Sequence, residues 1–339
     1  MYQELFRIPF IDRPVYGYGL MLVLAFVFAS MLMKYLARRH GLNGDHFVTA
    51  SLLGLVVGVV GARLTHVLEN WSAFTDPRLP AWENFKNMIN VSSGGLTFFG
   101  GFLFATPVLI LYAIWRKVPV LRGMDIVAPC LMLGLAWGRL GCYMNGCCHG
   151  EECSLPWAVQ FPYGSNAFIE QYQRGEISLD PRLLDPNPKH VIETLPSIDG
   201  HRNSGLGDVL PRPLPKEQIR GNAELEALAA KYRAHPVHPT QLYSTFNAGF
   251  IAAVCVAFLA LAPAAGRVFA LMLILKGISR FTLEMIRTEP PVWGFMSFSM
   301  VVSVGLVAAG ILMWVVCGMV RSSRSSASSR GFEPRLTTA

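Results

Sequence analysis

The sequence predicts an all-α polytopic membrane protein with seven transmembrane helices and an extramembrane lobe between helices four and five. Of its 339 residues, 52% are hydrophobic and only 15% are charged, and the mean hydropathy is +0.39. Soluble proteins carry about 25% charged residues, so this composition favours a bilayer and excludes a disordered chain or a small disulfide-rich scaffold. Seven apolar runs are also long enough to cross roughly 30 Å of hydrocarbon, which takes about 20 helical residues each. A membrane enzyme, transporter or receptor remains.

The apolar runs set the expected domain organisation. They lie at 18–36, 47–68, 95–115, 124–145, 241–262, 266–286 and 296–320. Residues 1–145 are expected to hold the first four helices, 146–240 the lobe, 241–320 the last three helices, and 321–339 a flexible cytoplasmic tail. The first run is of spanning length and has no small-residue cleavage site, so we expect it to stay in the mature protein.

The lysines and arginines of the short loops predict the orientation. With the N-terminus outside, eleven of them fall in cytoplasmic segments and five in short outer segments. Because positive residues accumulate in cytoplasmic loops, this bias predicts a multi-pass protein with its N-terminus outside and its C-terminus in the cytoplasm. The formal net charge of +7 is then mostly a topology signal, and nucleic-acid binding is not implied.

The segment 146–240 is too polar and too rich in proline to cross a bilayer. It contains runs such as Asp180-Pro181-Arg182 and is expected to form a lobe on the outer face. Its stretch 217–232, rich in Glu, Leu, Ala and Lys, predicts one short helix, and the rest predicts turns.

Charged residues inside the apolar runs indicate where a site lies, because each costs about 3 kcal/mol at the bilayer centre. They are Arg63, Arg139, Lys276, Arg280 and Glu284. Under the predicted topology all five fall in the outer half of the bilayer, where the polar or glycine-rich beginnings of the inward-running helices also lie. This convergence predicts one site that opens to the outer leaflet.

The sixth apolar run carries its charges on one helical face. Lys276, Arg280, Glu284 and Arg287 are spaced four, four and three residues apart, which stacks them along an α-helix. One interpretation is a self-neutralising stripe that makes the helix tolerable in the membrane. The other is an anion site in which Glu284 orients Arg280 and Arg139 completes a clamp, since the planar guanidinium group suits a phosphate.

Two further clusters leave alternatives open. Gly94, Gly95, Gly100 and Gly101 flank the start of the third run and could offer backbone N–H groups to an anion, whereas the glycines of runs two and four favour close helix packing. The cysteines at 142, 147, 148 and 153 could bind a metal, form a disulfide to Cys153, or pack as small residues. Their spacing is not two C-x-x-C pairs and adjacent cysteines are awkward joint ligands, so the sequence favours packing and no metal.

Several separate blocks together resemble one family, the bacterial prolipoprotein diacylglyceryl transferases. These blocks are Tyr18-Gly19-Leu20-Met21, Gly61-Ala62-Arg63-Leu64, the stretch from Gly94 to Gly101, the stretch from Gly138 to Gly150, His238-Pro239-Thr240-Gln241-Leu242-Tyr243, and Arg280 followed by Glu284. Each block is modest alone, but their order along seven helices is specific, and they cover nearly the whole membrane portion.

The resemblance implies a transferase of the bacterial cytoplasmic (inner) membrane that acts in lipoprotein biosynthesis. Its substrates would be phosphatidylglycerol, which gives up its diacylglyceryl group, and the lipobox cysteine thiol of a prolipoprotein, and glycerol phosphate would leave. No metal or organic cofactor is implied. The implied catalytic residues are Arg139, Arg280 and Glu284. The implied lipid-binding residues are Arg139, Arg280, Tyr18, Arg63, Gly94, Gly95, Gly100, Gly101, Asn145, Gly150, His238 and Tyr243.

Three departures from the family pattern affect what is carried over. Many members have His where Phe99 stands, the usual Asn and Glu of the signature are Cys142 and Cys147, and the outer segment is unusually long. The proton acceptor for the thiol therefore has three candidates, Glu284, His66 and His238. The alternatives are a divergent relative that uses another lipid donor, and a non-enzymatic transporter or lipid-binding protein.

Overall fold

The computed structural model describes residues 4–330 except 8–13, 76–78, 91–94, 96, 188–190, 194–208, 288–290 and 295. Its main helices are α1 Gly17–Arg39, α2 Gly44–Glu69, α5 Phe98–Trp115, α6 Val120–Asn145, α10 Thr240–Ala260, α11 Arg267–Glu284 and α12 Phe298–Arg330. The shorter helices are α3 Trp71–Phe74, α4 Ala81–Ile89, α7 Asn166–Gln173, α8 Lys216–Ile219 and α9 Ala223–Ala229, with a 3₁₀ turn at Pro181–Leu183. Three antiparallel two-stranded ribbons pair β1 Glu4–Arg7 with β2 Pro14–Tyr16, β3 Val191–Glu193 with β4 Val209–Pro211, and β5 Pro291–Trp293 with β6 Met296–Ser297.

The protein is mostly helical and multi-pass. Within the described residues, α1, α2, α6, α10 and α12 are long and apolar enough to cross a membrane. α5 is apolar but has 18 residues, and α11 also has 18 residues and carries Arg267, Lys276, Arg280 and Glu284. Eighteen residues give a helix of roughly 27 Å, slightly less than the hydrocarbon thickness. All seven predicted runs are therefore helical, and five of them meet the length and composition of a span.

The chain divides into two compact units that interleave along the sequence. The first comprises Met1–Phe26, Met132–Ile251 and Leu273–Ala309, and the second comprises Val27–Leu131, Ala252–Met272 and Gly310–Ala339.

The polar segment in the first unit is a folded lobe with its own core, which goes beyond the turns that its sequence predicts. Phe161, Phe168 and Leu183 are fully buried there. The hydroxyl of Tyr163 donates its one hydrogen between the carbonyl oxygens of Leu214 at 3.0 Å and Leu183 at 3.3 Å, which links segments that are far apart in the sequence. α7 begins at a Ser165 cap whose hydroxyl accepts from the backbone N–H of Phe168.

The single helix predicted over 217–232 is wrong. The structure has two short helices, α8 and α9, separated at Gly221, whose φ of +87° is left-handed and cannot continue a helix. Asn222 then caps α9 by accepting from the backbone N–H groups of Glu224 and Leu225. The composition of this stretch favours a helix, but the Gly-Asn pair interrupts it.

In the second unit, α2 and α5 approach closely through their glycines. A Cβ atom added at Gly61 would lie 2.6 Å from Cβ of Phe104, and one added at Gly101 would lie 2.9 Å from the carbonyl oxygen of Gly58. Gly100 packs in the same way against Thr65. These contacts confirm the packing interpretation for the glycines of α2, and they place Gly100 and Gly101 in the same helix–helix contact.

Candidate active site

The first unit contains a network of charged side chains on α11 and in the turn that follows it. Glu284 is 2% exposed, and its Oε2 atom lies 3.1 Å from Nη2 of Arg280 and 3.7 Å from Nη1 of Arg287. Nη2 of Arg280 also donates to the hydroxyl of Ser299 at 2.8 Å, at the beginning of α12. The expected face thus forms on α11 from Lys276 to Glu284, whereas Arg287 lies in the turn after the helix and contacts Glu284 from there. Glu284 with Ser299 holds the guanidinium of Arg280 in one orientation.

Two more cations lie beside this network, and neither has an acidic partner in the described part of the chain. Among the described residues, neither the guanidinium of Arg139 on α6 nor the ammonium of Lys276 on α11 makes a hydrogen bond or an ion pair. Lys276 lies within electrostatic range of both Arg139 and Arg280. Partly buried like charges repel and lose hydration, so they are costly unless an anion joins them. The Glu284 pairs that the self-neutralising stripe predicts are present, and Arg139 and Lys276 add positive charge beyond those pairs, which is the charge an anion site needs.

The loop after α6 is fixed by the beginning of α10. Thr240 Oγ1 donates to the carbonyl of Cys148 at 2.7 Å, and Gln241 Nε2 donates to the carbonyl of Cys147 at 2.8 Å. Gly150 packs so tightly that an added Cβ would lie 2.7 Å from Cγ2 of Thr240 and 2.8 Å from Cβ of His238. The sequence does not predict a role for Thr240 and Gln241, although both belong to the block 238–243 that resembles the family.

Three cysteine side chains converge in this loop. The Sγ atoms of Cys142, Cys147 and Cys148 all lie within 4.8 Å of one another, and Cys153 does not belong to this group. The convergence depends on left-handed backbone at Gly146, with φ +73°, and at Cys148, with φ +59°. Hydrogen bonds from Cys142 and Cys147 lower the pKa of the Cys148 thiol, and Arg139 and Arg287 act in the same direction. Every cysteine in the described residues is free of a disulfide.

Aromatic and imidazole groups surround the same loop. The hydroxyl of Tyr243 accepts from Nε1 of Trp157 at 2.7 Å and lies 3.4 Å from Nδ1 of His238. His149 is held at both ring nitrogens, by the carbonyl of Gly150 at 3.0 Å and by Oε2 of Glu170 at 3.2 Å. The hydrogen bond from His149 lowers the pKa of Glu170. Trp157 was not among the predicted site residues, because a lone lobe tryptophan gives no sequence signal.

The remaining predicted residues of the first unit lie near the cysteine loop. Tyr18, 40% exposed, packs against Gly141, where an added Cβ would lie 3.0 Å from its ring. The side chain of Asn145 bonds to the thiol of Cys147. The space around Gly150 does not admit a Cβ atom, so this glycine contributes close packing of the loop.

The second unit holds the other predicted residues in structural contacts. Arg63 is 6% exposed and donates to the carbonyls of Met88 at 2.9 Å, Gly95 at 3.0 Å and Asn87 at 2.7 Å. Gly95 has φ +75° and packs on the ring of His66. Gly94 lies outside the described residues. Phe99 on α5 is 63% exposed.

Comparison with known proteins identifies the family. The family described as prolipoprotein diacylglyceryl transferase matches residues 3–316. The chain belongs to this family. Three relatives carry the name phosphatidylglycerol–prolipoprotein diacylglyceryl transferase. The protein of Rhodopirellula baltica is 36% identical over 165 residues, which are 48% of this chain and 33% of that protein. Those of Paraburkholderia xenovorans and Paraburkholderia phymatum are 27% and 26% identical, over 88% and 93% of this chain and 88% and 92% of their own lengths.

Family membership confirms the resemblance drawn from the motifs. The matched region includes the helices that carry Arg139, Lys276 and Arg280, as well as the lobe. The match to Rhodopirellula baltica spans only about a third of that protein, whereas the two Paraburkholderia matches extend over most of both chains.

Proposed function

We propose that this protein transfers the diacylglyceryl group of phosphatidylglycerol to the lipobox cysteine thiol of prolipoproteins. The observation that carries the proposal is the group of three cations, Arg139, Lys276 and Arg280, two of which have no acidic partner among the described residues. Family membership supplies the reaction class. The cations supply a place for the one anionic group of this donor, its phosphate.

The chemistry fits this charge distribution. The thiolate sulfur attacks the glyceryl carbon that bears the phosphate, a C–S bond forms, and the C–O bond to the phosphate breaks. The electron pair stays on the phosphate oxygen, so negative charge grows on the leaving glycerol phosphate. Arg139, Lys276 and Arg280 would stabilise that charge more in the transition state than in the bound lipid, which is what accelerates a reaction.

The contacts divide the site residues into three groups. Arg139 and Arg280 bind the phosphate, and Glu284 positions Arg280, because a carboxylate between two guanidinium groups is a weak base. Tyr18, Asn145, His238 and Tyr243 line the cysteine loop where the acceptor thiol would enter. Arg63, Gly95, Gly100 and Gly101 shape the second unit through backbone contacts, so we assign them a structural role.

The membrane arrangement belongs to the same proposal. All seven predicted helices would cross the cytoplasmic membrane, with the N-terminus and the 146–240 lobe outside and the C-terminus inside. The bias of lysine and arginine in the short loops supports this orientation. The acceptor cysteine of a secreted precursor and the outer leaflet would then meet at the same side.

A reconstituted assay tests the activity. The purified full-length protein is incubated with phosphatidylglycerol vesicles and a lipobox peptide, and the peptide is followed by mass spectrometry. We expect the mass gain of one diacylglyceryl group and release of glycerol phosphate. Phosphatidylethanolamine vesicles and a peptide with Ser in place of Cys are the matched controls. A mass gain with phosphatidylethanolamine alone would favour the divergent relative, and no gain with any phospholipid would favour a lipid-binding protein.

A further inference from the structure

The three converging thiols form a set of metal ligands that the proposed transfer does not use. Cys142 lies on the last turn of α6, and Cys147 and Cys148 follow in the fixed loop, with all three Sγ atoms within 4.8 Å of one another. Three thiolates around a zinc ion at about 2.3 Å each would lie about 3.8 Å apart. The cluster therefore needs a contraction of about 1 Å or less, and the left-handed backbone at Cys148 already turns adjacent cysteines toward one point.

The surroundings leave one coordination position open. Both ring nitrogens of His149 are occupied by Gly150 and Glu170, and among the described residues no other Cys, His, Asp or Glu joins the group. Zinc prefers four ligands, so a three-thiolate site keeps a place for an external one. Gln241 is fully buried beside Cys147, and its Oε1 atom has no hydrogen-bond partner within the described part of the chain. A polar atom left in this state next to the thiols is one that a bound group would satisfy.

The local charge suits such a site. Three thiolates and a divalent cation carry one net negative charge, and Arg139 and Arg287 lie within electrostatic range of Cys148. The hydrogen bonds from Thr240 and Gln241 fix the loop backbone, so little ordering is left for metal binding. A pair of thiols would be enough for a disulfide, whereas three thiols within 4.8 Å of one another match a metal.

We propose that Cys142, Cys147 and Cys148 bind a zinc ion whose fourth ligand is the lipobox cysteine of the incoming precursor. This inference rests on the proposed function and adds the group that activates the thiol. The precursor thiol binds as the thiolate and its proton passes to water, since a coordinating thiol is deprotonated by the metal. After the C–S bond forms and the C–O bond breaks, the thioether is a weak ligand and leaves, and the three protein thiolates remain on zinc.

Metal content is the first test. The full-length protein is reduced, incubated with zinc chloride and separated from unbound metal. Its zinc content per chain is then measured by elemental mass spectrometry. We expect one zinc ion per chain in the wild type and in Cys153→Ser, the matched control outside the cluster. Cys142→Ser, Cys147→Ser and Cys148→Ser should each bind zinc about tenfold more weakly or worse. Equal zinc binding in these variants, or no zinc in a wild type with free thiols, would overturn the proposal.

Cobalt spectroscopy of the wild type is the second test and needs no variant that could misfold. Co²⁺ in place of zinc should give a sulfur-to-metal charge-transfer band of a three-thiolate site. A lipobox peptide should increase this band, whereas the Ser peptide should not. A band that does not change when the Cys peptide is added would contradict the thiol-binding role. A disulfide within the cluster that persists in the active protein would contradict the metal site itself.

The two proposals fail separately. Arg280→Ala should keep zinc and the peptide-dependent cobalt band but lose transfer, because its guanidinium binds the phosphate and not the metal. If the wild type shows the cobalt response but transfers no diacylglyceryl group, the proposed function fails and the metal site stands. If transfer proceeds unchanged after zinc is removed, the metal role fails and the function stands.

Discussion

Glu284 illustrates what a single buried residue contributes at this site. It is the carboxylate between Arg280, four residues earlier on α11, and Arg287, which lies in the turn after the helix ends at Glu284. The sequence therefore predicts the contact with Arg280, since positions four residues apart share a helix face, whereas the contact with Arg287 depends on the turn that follows the helix. That Arg139 and Lys276 have no acidic partner among the described residues depends on how α6 and α11 pack, which the sequence does not encode locally.

The exchange Glu284→Gln tests the positioning role. Without the carboxylate, Arg280 loses its fixed orientation, and transfer should fall about a hundredfold, as expected when a binding group is misplaced by about 1 Å. The loss should be the same at every pH and the pH optimum should not move, because Glu284 is not the base. Initial rates across a pH series measure this, with the exposed Glu83→Gln as the control. A pH optimum that moves with Glu284→Gln would make the carboxylate the proton acceptor.

The cysteine loop shows the limit of sequence reasoning at the residue scale. By their spacing alone, the adjacent Cys147 and Cys148 are awkward joint ligands, and the sequence favours packing. Their convergence with Cys142 depends on a positive φ at Cys148, a conformation that non-glycine residues rarely adopt. No sequence pattern predicts such a backbone angle, so the cluster could be found only in the structure.

At the scale of elements, the apolar runs predict the positions of all seven long helices, and errors arise at their ends. α5 begins at Phe98 rather than at Gly95, because Gly95 has a left-handed φ. α12 extends to Arg330, beyond the end of the seventh apolar run at residue 320. The lobe core formed by Phe161 and Phe168 also could not be predicted, because its contacts join residues far apart in sequence.

One long-range contact that joins α6 to the beginning of α11 is open to test. Asp125 is fully buried, and its carboxylate accepts from the backbone N–H of Gly266 at 2.8 Å and of Phe269 at 3.0 Å. Asp125→Ala leaves both buried donors unpaired and should lower the free energy of unfolding by about 1–3 kcal/mol. Denaturant unfolding in detergent measures the loss, and the exposed Asp45→Ala should change stability little. Equal stability of the Asp125 and Asp45 variants would contradict this role.

At the scale of the whole molecule, the function depends on orientation across the membrane. Reporter fusions placed within residues 155–234 should be active only outside the cytoplasmic membrane, and fusions after Arg321 only inside. The reason is the excess of lysine and arginine in the segments assigned to the cytoplasm. Paired reporters, one active in the cytoplasm and one outside it, measure both sites. The opposite pattern would put the lobe on the wrong side for a secreted precursor.

The proposal as a whole depends on the cation group, and Arg139 tests it most directly. In the reconstituted assay with phosphatidylglycerol and a lipobox peptide, Arg139→Ala should reduce transfer about a hundredfold or more, because it removes a guanidinium group from the developing negative charge. Arg139→Lys should restore part of the rate, since it keeps the charge but not the two parallel hydrogen bonds. The exposed Arg38→Ala should transfer at the wild-type rate. Near-normal transfer by a correctly inserted Arg139→Ala protein would contradict the phosphate-binding role on which the account depends.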